Sequence, residues 1–533
     1  MRFSLSLPST GPLEENNRMS KDNLFKDTLL ANGSFCVTWE QVPGRGSGKK
    51  RELILANAAQ AASEGLVQAI GVTDNPGGNP AYAAGALGAE IKELGIEPLV
   101  HLAMRDKNRN EIESTLYALN GAQVSNILIV SGDYPSGGAQ PVFDLDPVHV
   151  LQLIERLNVG PEDNLVSWAA KIMPTDFFAG VAVSPFKKLE SELMGQYWKL
   201  AKKIKAGARF VISQIGYDAR KAQELLFWLN QSGSRIPVLA NIYVLSYGMA
   251  CSMRASKPPG CVISDKLLGE LDIERQAADK GTEARLVRAA KMYAVAKGLG
   301  YRGVHIGGCG LTYQNIKDII NHGETLASQW HSLVAEFDYS QPGGFYLFKR
   351  DKESGLNTNE FSPSVTKGRK SAVYNFSLLV HSTMLEPAHP LFGLYRRLAG
   401  WIDRTGIVKR FSTFLEHLNK SMLFDCAGCG DCALSETGYL CPVSQCPKGM
   451  RVGPCGGSSA GWCEVYPGVR RCVWVRVFER LKGYGRAGDI CASLPPPRDW
   501  NLNRTSAWLN FYMGRDHAAK QLGLKMPERS KRN

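Results

Sequence analysis

The chain has 533 residues, 44% of them hydrophobic and 21% charged, with a net charge of +13. These proportions exclude a mostly disordered chain, and no run of about 18 apolar residues offers a transmembrane helix. At about 150 residues per domain the length suggests about three domains, or one large α/β barrel with a second domain and tails. The opening stretch MRFSLSLPST has one Arg and a short apolar run but no convincing signal peptide, and Met19 is an alternative start. Residues 1–31 read as an N-terminal extension.

From about Phe35 to Leu326 strand and helix signals alternate. Short β-rich runs stand at 35–39, 69–73, 97–102, 126–131, 178–184, 210–215, 237–244 and 303–308. Helix-length segments such as RELILANAAQAASEG and SELMGQYWKLAKKIKAGA lie between them. Eight alternations predict a (β/α)8 TIM barrel over 32–335, with a doubly wound open sheet as the alternative. No GxGxxG follows the first strand, which disfavours a dinucleotide-type Rossmann fold. In a barrel the chemistry gathers at the C-terminal strand ends. Those ends read Glu40, Thr73-Asp74-Asn75, His101, Gly132-Asp133, Ser184-Pro185, Gln214, Asn241 and Gly307-Gly308. Each is an ordinary turn residue alone; together they suggest the lining of one pocket.

Residues 336–372 are rich in Gly, Ser, Asn, Pro and Lys and read as a linker. Residues 373–424 carry apolar residues at helical spacing. Nine of the thirteen cysteines then fall between Cys426 and Cys491. A cysteine-poor body with one cysteine-dense module favours metal ligation in a reducing cytoplasm over disulfides. The fold expected is therefore a TIM barrel followed by a small, α-rich, cysteine-rich metal-binding domain at 425–492. From 493 the chain reads as a basic tail. Residues 401–533 hold 20 basic and 11 acidic residues. Such an excess suits a solvated tail, an acidic protein partner, a polyanion or nucleic acid.

The stretches VTWEQVPGRG, AIGVTDNPGG, PLVHLAMRD, NILIVSGDYP and AGARFVISQIGYD resemble methylenetetrahydrofolate reductase in order and spacing. SGDYPSGGAQPVFDLDPVHVLQL resembles the barrel subunit of the acetogen-type reductases. The cysteine module, with CAGCGDCALSETGYLCPVSQCPKGM, resembles their separate cysteine-rich partner subunit. The chain thus looks like a fusion of the two. The resemblance implies reduction of 5,10-methylenetetrahydrofolate to 5-methyltetrahydrofolate through bound FAD, with FMN the other choice. It puts Glu40 in the role of acid for ring opening, with burial expected to raise its pKa and keep it protonated. It puts Asp133 beside the flavin pyrimidine and the folate. Thr73, His101, Ser131, Gly132 and Lys203 match flavin-contacting positions, Gln214 the amide that reads the pterin, and Asn241 joins it on the substrate side. Ser131 departs from the well-known bacterial enzymes, which carry Arg there, so one flavin contact is absent.

The cysteine spacing is C-x2-C-x2-C-x8-C-x4-C-x8-C-x7-C-x8-C, through Cys426, Cys429, Cys432, Cys441, Cys446, Cys455, Cys463 and Cys472. Eight thiolates suffice for two tetrathiolate sites, with Cys491 spare. One or more [4Fe–4S] clusters is the leading reading, zinc the alternative, and the spacing leaves the division of ligands open. Electrons would come from a ferredoxin-like protein or from NADH or NADPH. A structural zinc module that docks a methyltransferase is the rival reading. The spacing fits no common nucleic-acid finger, and neither nucleic acid nor membrane is an expected partner. A cytoplasmic homo-oligomer is expected.

Overall fold

In the computed structural model the described residues are 23–160, 173–255 and 258–525. They form two compact units. The first runs to Val365 and includes Gly456–Ala460; the second comprises Thr366–Cys455 and the chain from Gly461 onward.

The first unit is the expected barrel. Its strands are β1 (Cys36–Gln41), β2 (Ala69–Val72), β3 (Glu97–Ala103), β4 (Asn126–Val130), β5 (Phe178–Val183), β6 (Phe210–Ser213), β7 (Val238–Val244) and β8 (Gly303–Gly308). They pair in sequence order, and β8 closes on β1 in parallel register, with Thr38 opposite His305. The strands are buried on both faces, which is why they read as short apolar runs. The helices of this unit begin with α1 (Leu24–Leu30), α2 (Lys49–Glu64), α3 (Ala84–Glu93), α4 (Arg109–Gly121), α5 (Pro147–Val159), α6 (Glu190–Lys205) and α7 (Ala219–Gln231). Asn108, Asp146 and Asp218 cap the N-termini of α4, α5 and α7 with side-chain acceptors.

The barrel interior changes character along its axis. Its floor is a cluster of Cys36, Ala69, Leu99, Leu128, Phe178, Phe210 and Leu239, closed by Phe25 and Leu29 of α1. Phe25 meets Phe178 and Phe210 edge-on at centroid distances of 6.0 and 5.2 Å. Phe210 needs Gly180 beside it, since a Cβ there would fall 2.1 Å from the ring. Side chains alternate across a strand, so the next inward positions lie two residues further on. There the residues turn polar: Thr38 on β1, His101 on β3, Asn241 on β7 and His305 on β8.

The stretch expected as a linker folds onto this unit as far as Val365. Strands Phe348–Arg350 and Asn357–Phe361 make an antiparallel hairpin. Arg220 of α7 donates from Nε to Asn357 Oδ1 at 2.7 Å. The Gly, Ser and Asn content of this stretch is hairpin turn chemistry.

In the second unit the helices Ala372–Val380, Phe392–Arg404 and Gly406–Phe424 precede the cysteines, and Val473–Gly483 follows them. The region expected as a basic tail is folded through its described part. Leu509, Phe511, Tyr512, Met513 and Ala519 pack with Phe392 and Ala399 in one apolar cluster. The segment KMPERSKRN lies, beyond Lys525, outside the described residues. Among the described residues no helix is long and apolar enough to cross a membrane.

Candidate active site and thiol sites

Glu40, at the C-terminal end of β1, points into the polar mouth. Its Oε2 lies 3.4 Å from His305 Nε2. His305 is 1% exposed, and its Nδ1 lies 2.7 Å from Thr38 Oγ1. Thr38 Oγ1 in turn donates to the Val304 carbonyl at 3.3 Å. His101 completes the group, its ring centroid 5.8 Å from that of His305. Gly71 makes room for both imidazoles, since a Cβ there would stand 2.7 Å from His305 Cε1. One ligand-type atom from each of Glu40, His101 and His305 lies within 4.8 Å of the others. Both nitrogens of His305 are used, one on Thr38 and one on Glu40, so Thr38, His305 and Glu40 form a hydrogen-bonded relay with His101 beside it.

The charge on Glu40 departs from expectation. Burial pushes its carboxyl up, but the His305 hydrogen bond and charge, joined by His101, outweigh burial and leave it below its ordinary value. Burial depresses His101 to about 4, against the pull of the Glu40 charge, so that ring is neutral at pH 7.

The other expected residues surround this relay to different degrees. Thr73 Oγ1, His101 Nε2, Arg105 Nη1 and Ser184 Oγ are buried polar atoms without a hydrogen-bond partner. They stand at or just beyond the ends of β2, β3 and β5. Asp133 Oδ2 accepts from the Gly77 amide at 2.7 Å, which ties the loop after β4 to the turn after β2. Gly132 has φ +76, and a Cβ there would lie 2.8 Å from Arg105 Cβ. Ser131 before it is half-buried. Lys203 Nζ donates to the Ala182 carbonyl at 2.6 Å, next to the end of β5. Gln214 Oε1 accepts from the Ile215 amide at 2.9 Å. Asn241 donates its backbone N–H to Ser213 Oγ at 3.0 Å and sits opposite His305 in the β7–β8 register. Sequence reasoning missed Thr38, His305 and Lys107. Lys107 Nζ lies 2.7 Å from Asp74 Oδ2, which also accepts from the Ala103 amide. Strand parity carried the signal for two of them: Thr38 is two residues before Glu40, and His305 two before Gly307.

A family model described as methylenetetrahydrofolate reductase matches residues 25–306, more than half of the chain. The chain belongs to the methylenetetrahydrofolate reductase family. A second model, described as methylene-tetrahydrofolate reductase C terminal, matches residues 407–501. Its enzyme activity is that of the family, reduction of methylenetetrahydrofolate. No curated protein matches the chain. Among solved structures, an uncharacterized protein from Clostridium thermocellum that binds two copies of 5-methyl-5,6,7,8-tetrahydrofolic acid is 13% identical. It covers 57% of this chain and 99% of its own, with a TM-score of 0.40. A 2,3-dimethylmalate lyase of the PEP mutase/isocitrate lyase superfamily is also 13% identical. It covers 62% of this chain and 88% of its own, with a TM-score of 0.31.

In the second unit of the reductase all eight predicted cysteines are free thiols. Their electrostatic neighbours divide them into two groups. Cys426 and Cys432 each feel Cys441, Cys426 feels Cys432, and Cys429 feels Cys441. Cys446 feels Cys455 and Cys463, and Cys472 feels Cys455 and Cys446. The thiol neighbours of the first four cysteines, the first tetrad, lie among those four, and those of the last four, the second tetrad, lie among the last four. Burial pushes the thiols of Cys426, Cys429 and Cys472 up, Cys432 to about 11 and Cys446 to about 12. Among the described residues no three thiols have sulfurs within 4.8 Å of one another. Lys420 is buried beside the first tetrad, within reach of the charges of Cys432 and Cys426, and pairs with Glu416 at 2.6 Å. Behind that tetrad lies a buried ionic knot. Asp431 accepts from Arg451 Nη1 at 2.9 Å and pairs with His517 Nδ1 at 2.6 Å. His517 Nε2 reaches Glu436 at 2.7 Å.

Proposed function

We propose that the barrel mouth reduces 5,10-methylenetetrahydrofolate to 5-methyltetrahydrofolate with a flavin as hydride source, and that the thiol unit holds iron–sulfur clusters that supply its electrons. The observation that carries the reading is a largely buried carboxyl, Glu40, hydrogen-bonded to a buried imidazole at the polar end of an otherwise apolar barrel. When bound, a reduced flavin supplies the hydride. Four buried polar atoms without partners, on Thr73, His101, Arg105 and Ser184, fit the edge of such a polar aromatic ring system. Lys203 stands near the end of β5, where it suits an anionic cofactor tail.

The chain's own residues do the remaining work. Glu40 donates the proton that opens the imidazolidine ring. The Asp133 carboxylate, fixed by the Gly77 amide, offers negative charge to the cation that ring opening creates. Gln214 and Asn241 present amides, which both donate and accept, to the pterin. The floor around Phe25 excludes water from below.

Two tetrads suit two thiolate-bound metal centres. The Gly-flanked run of Cys426, Cys429 and Cys432 and the Pro after Cys441 and Cys446 support an iron–sulfur core over zinc. The buried ammonium of Lys420 suits a neighbouring centre of negative charge.

Full-length protein purified without oxygen should contain flavin, iron and acid-labile sulfide. After reduction by dithionite, mixing with methylenetetrahydrofolate should reoxidise the flavin and yield 5-methyltetrahydrofolate by mass spectrometry. Flavin that stays reduced with excess substrate would overturn the barrel assignment; zinc without iron would overturn the cluster assignment.

A further inference from the structure

We propose that His305 is the proton partner of Glu40, and that the proton needed for ring opening is stored between these two side chains. The inference rests on the reading of Glu40 as the acid. It follows from where each hydrogen must point. Thr38 Oγ1 has one hydrogen, and the Val304 carbonyl 3.3 Å away takes it. With that hydrogen on Val304, the 2.7 Å contact between Thr38 Oγ1 and His305 Nδ1 takes its hydrogen from the ring, and we assign Nδ1 as protonated. His305 Nε2 then faces Glu40 Oε2 at 3.4 Å. A lone pair facing a carboxylate there would be repulsive. The contact holds one proton, on the carboxyl or on the ring.

This resolves the low affinity of the Glu40 carboxyl for a proton. His305 stabilises the carboxylate, but by doing so it holds the same proton one hydrogen bond away. The other groups facing Glu40 do not compete for that proton. Burial keeps His101 on β3 neutral, with a value of about 4. The Tyr243 hydroxyl on β7, which contacts Cys309 after β8 at 3.4 Å, is pushed well up by burial. The Cys261 thiol is pushed up by burial to about 12. Asp74, beyond β2, is paired with Lys107.

In the step itself the proton passes from Glu40 to N10 of the folate as the bond between N10 and the methylene carbon breaks. The electron pair of that bond stays on N10, and the methylene carbon becomes an iminium carbon on N5, the hydride acceptor. Glu40 is left as a carboxylate beside a neutral His305. One proton from solvent, taken up by either partner, restores the pair. His305 is thus a positioning and proton-storing residue that acts through Glu40.

A pair that can place one proton on either member binds it at least as tightly as the carboxyl alone. Replacing His305 with Gln keeps a hydrogen-bond donor but removes the second proton site. In full-length holoenzyme with prereduced flavin, His305→Gln should move the alkaline limb of methylenetetrahydrofolate reduction to lower pH by about one unit or more, a tenfold or greater loss above that limb. Thr38→Val should move the same limb less, and Thr38→Ser should restore it. A second readout needs no turnover. Nitrogen NMR of histidine-labelled protein should show the His305 ring, assigned by its loss in His305→Gln, with Nδ1 protonated throughout and Nε2 titrating. Glu40→Gln should shift that titration. If Glu40→Gln keeps folate reduction within tenfold, the acid assignment falls, and the inference with it. If Glu40→Gln abolishes reduction but the limb is unmoved in folded, flavin-loaded His305→Gln, only the proton-pair inference is overturned. An Nε2–H tautomer with Nδ1 bare would overturn it as well.

Discussion

The barrel mouth and the thiol unit organise their chemistry in opposite ways. In the mouth, Thr38, His305 and Glu40 are already hydrogen-bonded by the closure of β8 on β1. Backbone pairing places them, above a floor packed from Phe25, Leu29, Phe178 and Phe210. In the thiol unit the cysteines gather into two groups, and burial favours the protonated form of Cys426, Cys429, Cys432, Cys446 and Cys472. A thiol held neutral in an apolar setting becomes a ligand only when a metal displaces its proton. The barrel site is therefore built by its scaffold, and on the proposed reading the thiol unit would be completed by a metal.

That contrast is open to attack from both sides. The largest effect should come from the thiols. Cys429→Ser or Cys446→Ser should each cost one tetrad its metal and lower the cooperative unfolding of the second unit. Flavin content should hold in both variants. Metal analysis with thermal melts checks this, and flavin loss in step with metal loss would erase the distinction between the units.

A smaller loss should follow Phe25→Ala. Phe25 is fully buried between Phe178 and Phe210, and truncation of such a side chain costs about 3–5 kcal/mol. Urea unfolding should show the loss in the barrel transition, with metal content unchanged.

The smallest of the three concerns the ionic knot behind the first tetrad. Burial opposes the charge on His517, but its hydrogen bonds to Asp431 and Glu436 raise it to about 9. A raised folded value means the stabilisation is complete below the ordinary histidine range, near pH 6.5. It is lost as pH rises through about 9. Asp431 works in the other direction. Burial pushes it up, but His517 and Arg451 hold it low, so its share is present above the ordinary aspartate range and lost in acid. The urea midpoint of the second unit should therefore fall on the alkaline side in the native chain. In His517→Gln, weaker near neutrality by about 1.5–3 kcal/mol for a lost hydrogen bond to a charged group, that alkaline dependence should flatten. A midpoint that stays level through pH 9 in the native chain would contradict the knot.

The two regions also differ in how far their sequences foretell them. All eight strands are readable, because parallel strands buried on both faces carry compact β-branched runs bounded by turns. The plug at the barrel floor is not. Phe25 and Leu29 lie in a seven-residue helix, too short to announce a period. Glu40 and His101 stand at strand ends and are legible there. His305 is not, because its meaning depends on a partner 265 residues away that only barrel closure brings near. The pKa direction of Glu40 fails for the same reason, since burial is legible and the opposing imidazole is not. The cysteine spacing marks the eight thiols as one group, but which of them become neighbours depends on the fold between them, which the spacing does not carry. The fold of residues 493–525 is hidden by short helices whose apolar residues find their partners on a helix more than a hundred positions earlier.

The central claim is that the mouth drives folate reduction through a proton held at Glu40. Its most direct test is a single turnover of full-length Glu40→Gln with dithionite-reduced flavin and methylenetetrahydrofolate, followed by flavin reoxidation. The native protein should reoxidise with formation of 5-methyltetrahydrofolate. The variant should bind flavin normally and reoxidise at least about a hundredfold more slowly, because an amide has no acidic proton to give. Reoxidation of the variant within about tenfold of native, a difference under roughly 1.4 kcal/mol, would contradict the account.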